Sequence, residues 1–389
     1  MRHPLSLVVL GIAGRSPFAG VAWQTLHHLE GFRRLGCDVA YVEDTGAWPY
    51  DAERNAVTDD PSYTVAYLDR LMARCGLRER WAFRAASQGR RVYGLDERQL
   101  GRLFERADVL VNLSAATLLD DQHRRVPVRI YLETDPVRSQ IEVAKGDAGA
   151  IGMIGTHTHH FTYAENLGAP DCSVPVERFA WHPTRPPVIL DWWGSDTRPP
   201  DDAPFTTVAN WSQSNDIEWQ GEIYRWSKHV EFMKFIDLPR RVAALFELTL
   251  ACGDAKVVRR LEAEGWRVRD ALALSRDLGP YREYIRSSRG EFTVAKDQNI
   301  RLRSGWFSDR SACYLAAGRP VVTQDTGFGG VVPVGRGVFA FRTMEDIVDS
   351  IVRINADYQA HARAAREIAA EYFDAERLLG DILRRVGAS

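Results

Sequence analysis

Short, mostly apolar runs recur along both halves of the chain and alternate with stretches of helical spacing. That alternation limits the fold more than any other feature. Strands separated by helices pair in parallel, and a parallel sheet must be covered on both faces. In the first half, Leu5 to Leu10 reads as a buried strand. The loop Gly11 to Gly20 follows, then a helix with Ala22, Leu26, Leu29 and Phe32 on one face. Gly36 closes that helix, and Asp38–Glu43 is the next strand. Strand, glycine loop, helix and strand in that order make a Rossmann-type opening. Further strands are predicted at Asp108–Leu113, at Val128–Leu132 running into Asp135, and at Ala150–Gly155 running into His157.

The second half repeats the pattern. Phe205–Asn210 and Phe246–Ala251 read as strands, Ala255–Glu264 as a helix, Glu291–Ala295 as a strand, Ser308–Ala317 as a helix and Pro320–Thr323 as a strand. The tail from Thr343 is helical. At 389 residues the chain exceeds one ordinary hydrophobic core. The expected division is a first domain over 1–182 and a linker rich in Pro, Trp and Asp over 183–204. A second domain covers 205–370, and a last helix over 371–389 crosses back to the first.

The net charge of −2, with no basic block, argues against a nucleic-acid-binding surface. The five cysteines, Cys37, Cys75, Cys172, Cys252 and Cys313, show no metal-site spacing and fit reduced thiols in a cytoplasmic protein. Leu5 to Ile12 is too short to span a bilayer and lacks a cleavage-site pattern, so neither a signal peptide nor a membrane span is expected. His157, His159 and His160 have no third ligand at recognisable spacing, so no metal is expected.

The most informative segment runs from Ser304 to Gly327. The loop Ser304-Gly305-Trp306-Phe307 opens a helix that Ser308 or Asp309 can cap. The amides and dipole of a helix start suit a diphosphate. Gly318 ends the helix, and the next strand delivers Asp325 to the sheet edge where ligands of open α/β sheets bind. This segment resembles the donor-binding half of GT-B glycosyltransferases, especially the retaining group with Glu-Gly-Phe-Gly, a helix, then Gly-Arg-Pro-Val-Val. It also resembles the spore-maturation-type glycosyltransferases. The resemblance implies an α/β fold of two Rossmann-like domains facing each other across a cleft. It also implies a nucleotide-sugar donor, an unidentified acceptor and no cofactor or metal. One departure stands out: the retaining group carries two glutamates eight positions apart, and the matching residues here are Gly305 and Cys313. Neither can hold a hydroxyl as a carboxylate does.

Basic residues for the diphosphate are expected early in the second domain and before the loop, with Lys228 and Arg301 the leading candidates. On the acceptor side, Asp135 and His157 each follow a predicted strand and are expected to converge on one acceptor hydroxyl. In the first glycine loop, Gly11, Gly14 and Gly20 are too widely spaced for a dinucleotide fingerprint, which weakens a nicotinamide reading. Gly14, Arg15 and Ser16 are instead the expected acceptor-side contacts. A nucleotide-sugar epimerase and a noncatalytic nucleotide-sugar-binding protein are the alternatives.

Overall fold

The computed structural model describes residues 3–194 and 198–388; residues 195–197 of the expected linker lie outside them. Two twisted sheets carry the chain. The first has eight strands in the order Trp181–Pro183, His159–Thr162, Val128–Glu133, Val109–Leu113, Ser6–Leu10, Asp38–Glu43, Trp81–Ala85, Arg91–Gly94. All neighbours in it are parallel except the last pair. The second has six parallel strands in the order Arg267–Asp270, Phe246–Ala251, Phe205–Asn210, Gly290–Thr293, Val321–Gln324, Val338–Phe341. The central strands are apolar and buried on both faces, as parallel strands between helices must be.

Each sheet winds outward from its first strand and then reverses. In the first sheet the reversal falls between Ser6–Leu10 and Val109–Leu113, and in the second between Phe205–Asn210 and Gly290–Thr293. A crevice forms outside the carboxyl ends of the strands at such a point. These two reversals position the site described below.

The expected strand at Ala150–Gly155 is a helix, Ala148–Gly155. Its start is fixed by Asp147, whose carboxylate accepts from the Ala150 amide at 2.7 Å. The strand comes later, at His159–Thr162, in register with Val128–Glu133. Trp181–Pro183, expected as part of a connector, adds a parallel edge strand. Deeper in the connector, buried Trp193 donates its indole N–H to His27 at 3.0 Å.

One apolar cluster runs through both halves, joining Val9, Phe32 and Phe161 to Phe307, Tyr314 and Leu315. The helix Ala375–Arg385 packs on the helix Ala19–Arg34. Gly31 permits the approach: a Cβ there would lie 2.5 Å from Leu379 Cδ1. No helix among the described residues is long and apolar enough to cross a membrane.

Candidate active site

A cleft of about 410 Å³ opens where the two reversal points face each other. The first half lines it with Phe18, Gly20, Trp23, Gln24 and His27, from the loop and helix after the first strand. The second half lines it with Val208, Ala209 and Asn210 at the end of one strand, and Lys296 just past another. Lys228, Trp306, Ser308, Asp309 and Arg310 complete the wall.

Three cations converge. Arg310 donates to Glu291 Oε1 at 2.6 Å, to the Val208 carbonyl at 2.6 Å and to Thr293 Oγ1 at 3.0 Å. Lys296 lies 3.7 Å from the centre of the Trp226 ring and pairs with Asp135 of the first half. Lys228 sits 5.4 Å from the centre of the Trp306 ring and, among the described residues, has no carboxylate partner. Burial, then the charges of Arg310 and Lys296, push the Lys228 ammonium down to about 7. Beside them the helix Asp309–Ala316 begins. Ser308 occupies its cap position, but no side chain caps it, contrary to expectation. First-turn amides have no intrahelical partner, so this end is a place for an anion. Burial raises the Asp309 carboxyl to about 6, opposed by a hydrogen bond to Gln24.

The loop before that helix is held in place from the first half. Gly305 adopts φ of +80°, and a Cβ there would lie 2.3 Å from the Asn166 amide nitrogen. The Asn166 amide donates to the Ser304 carbonyl at 3.1 Å. Trp306 donates its indole N–H to the Thr134 carbonyl at 3.0 Å. Ser304 is fully buried and donates to Asn299 Oδ1 at 2.7 Å, while Phe307 packs on Phe328 and Phe373. Of this expected donor loop, then, Trp306, Ser308 and Asp309 face the cleft, whereas Ser304, Gly305 and Phe307 shape it.

Several expected contacts lie elsewhere. His157 follows a helix and precedes the strand His159–Thr162, so it stands at the wrong end of the sheet. It is buried, accepts from Asn112 Nδ2 at 3.1 Å and is pushed down to about 4 by burial. Asp135 does follow a strand into the cleft region, but it meets Lys296 rather than His157. Arg301 ends the short helix Asp297–Arg301 facing outward, where it binds Glu222 at 2.9 Å and lies over Tyr224. Asp325 is engaged by Arg303 at 3.1 Å, by Arg342 at 2.6 Å and by the Gly327 amide at 2.8 Å. The amides of Gly14 and Arg15 turn to the buried carboxylate of Glu43, which also accepts from Tyr41 Oη at 2.9 Å. Ser16 donates its amide to the Ile12 carbonyl at 2.9 Å. That folds the loop so that Phe18 and Gly20, not residues 14–16, reach the cleft. Cys313 lines the cleft with its thiol 3.7 Å from His27 Nε2. Among the described residues, no three His, Cys, Asp or Glu side chains gather as metal ligands.

Sequence reasoning passed over Lys296, Arg310 and Gln24. A signal existed for two of them. Lys296 lies three residues past the strand end Thr293, much as Asp135 lies past Glu133, and Arg310 is the second residue of the helix Asp309–Ala316.

No protein-family model matches the chain, and no curated protein matches it by sequence. Solved structures do match. An α-glucosyltransferase in complex with UDP and a 13-mer DNA containing an HMU base aligns with a TM-score of 0.60 at 10% identity, covering 99% of this chain and 100% of that one. HepE from Anabaena, in complex with UDP and glucose, aligns at 0.54 and 12% identity, covering 99% and 100%. AviGT4, a glycosyltransferase involved in avilamycin A biosynthesis, aligns at 0.52 and 13% identity, covering 98% and 97%. Likeness over whole chains at this identity establishes the architecture: two Rossmann-like domains facing each other across a cleft, the GT-B fold.

Proposed function

We propose that the chain is a glycosyltransferase that moves a sugar from a nucleoside-diphosphate sugar to an acceptor. The observation that carries this reading is the convergence of Lys228, Lys296 and Arg310 on an uncapped helix start at the reversal point of the second sheet. A diphosphate leaving group needs fixed positive charge where its own charge develops, and this arrangement supplies it in a half-enclosed site. The Asp309 helix start holds the phosphates, with Lys228 and Lys296 flanking them. The nucleoside extends toward Ala251, Ala271 and Leu272. The sugar lies toward Asp135, whose carboxylate is the acceptor-side base in this reading. With those cations in place, leaving-group stabilisation requires no metal. The solved neighbours whose titles name UDP complexes support the same class of donor.

The test is incubation with a panel of UDP-, GDP-, ADP- and TDP-sugars without acceptor. Slow release of free sugar supports a transferase. Conversion to an altered nucleotide-sugar would mark an epimerase, and binding without turnover a noncatalytic binder. A nucleoside diphosphate at one hundred times its dissociation constant stabilises the fold by about 2.7 kcal/mol. No thermal shift with UDP, GDP, ADP or TDP at millimolar concentration contradicts the reading.

A further inference from the structure

Lys228 is 8% exposed and lines the cleft, and among the described residues no carboxylate or hydrogen-bond acceptor engages its Nζ. The other two cations differ: Arg310 is paired with Glu291, and Lys296 with Asp135. A buried ammonium without a counter-charge is costly, and two cations beside it add to that cost. The neutral amine is therefore favoured while the cleft is empty. A diphosphate arriving beside Nζ reverses the balance, because it supplies the missing negative charge.

We propose that the nucleoside diphosphate enters this cleft together with one proton, which is taken up by Lys228. The inference rests on the donor site assigned above and adds a property that the assignment does not require. The four groups facing Lys228 come from three elements: Arg310 on the helix Asp309–Ala316, Glu291 within the strand Gly290–Thr293 and Lys296 after it, and Asp135 after the strand Val128–Glu133. The two facing carboxylates each already hold another cation, so neither is free to neutralise Lys228. The depression of Lys228 to about 7 sets the pH window. Below it the lysine is charged before the nucleotide arrives, and above it the proton must come from solvent. No bond is made or broken: one proton moves from buffer to Nζ.

Isothermal titration of the protein with UDP at pH 8.0, in buffers of different ionisation heat, counts the protons. If GDP, ADP or TDP binds more tightly, that nucleotide replaces UDP. The nucleotide's terminal phosphate is already ionised at this pH. Wild type is expected to take up about 0.9 proton per nucleotide, and affinity to fall about tenfold per pH unit above 7.5. Lys228→Arg brings its charge at every pH, so it binds with uptake below about 0.2 proton and a flat pH profile. Wild-type binding without proton uptake, or equal uptake in Lys228→Arg, overturns this inference and leaves the donor site standing. Wild type that binds none of the four nucleotides overturns the donor site itself.

Discussion

Arg310 offers the sharpest test of how the cleft is built. Its guanidinium serves three acceptors, and one of them, the Glu291 carboxylate, is fully buried. Among the described residues, the second oxygen of Glu291 has no hydrogen-bond partner. Arg310→Met keeps a long flexible side chain and removes the charge. Glu291 then loses the only cation that hydrogen-bonds it among the described residues, and breaking such a pair from one side costs about 3–5 kcal/mol. Replacing both members, as in Arg310→Met with Glu291→Leu, removes the stranded charge, and swaps of that kind are often neutral. Urea unfolding at pH 7.5 of wild type, the single variant and the double variant reads both quantities. The expected order is wild type close to the double variant, with the single variant lowest. A single variant within about 1 kcal/mol of wild type, the worth of an exposed pair, would mean that Glu291 does not depend on Arg310. So would a double variant as unstable as the single one.

Three further outcomes follow. Burial holds the Glu43 carboxyl up at about 7, against the pull of the Gly14 amide and Tyr41 hydroxyl. Its proton therefore stabilises the fold below the unfolded value near 4.5, and that stability is lost as pH rises through 7. The stability of wild type relative to Glu43→Gln should thus fall by about 3 kcal/mol between pH 4.5 and 7.5 in urea melts; a constant difference removes Glu43 from the account. Gly305→Ala forces a side chain into a left-handed conformation against the Asn166 backbone and should cost more than about 2 kcal/mol, while a loss under about 0.5 kcal/mol contradicts the packing. Asp135→Asn should lower transfer by roughly 10²-fold. Donor affinity should stay near normal, and unchanged turnover removes Asp135 from the acceptor side.

The fold was legible because parallel strands declare themselves locally. Asp38–Glu43, Phe205–Asn210 and Phe246–Ala251 are apolar runs with clear breaks, and their limits coincide with the observed strands. Ala148–Gly155 misled for a physical reason: a short apolar run rich in glycine carries no periodicity of its own, and the Asp147 cap decided it. His157 was misplaced along with it. The start of the helix at Asp309 was legible, because a Ser-Asp pair before an apolar stretch and a glycine stop after it are local signals, although neither side chain closes a cap. The partners of the site were not. Glu43 reaches Gly14 across 29 residues, Asp135 reaches Lys296 across 161, and Trp306 reaches Thr134 across 172. Such pairings are set by strand order, which periodicity does not encode. Arg301 and Asp325 were candidates by charge and position, yet charge alone does not tell a side chain that faces the cleft from one already paired elsewhere.

In the proposed donor complex a nucleoside diphosphate lies over the start of the helix Asp309–Ala316, between Lys228 and Lys296. A crystal structure with the tightest binder among UDP, GDP, ADP and TDP tests it most directly. Phosphate oxygens are expected within hydrogen-bonding distance of the first-turn amides and of Lys228 Nζ, with the base toward Ala251 and Leu272. A diphosphate bound outside this cleft, or one that leaves Lys228 untouched, would contradict it.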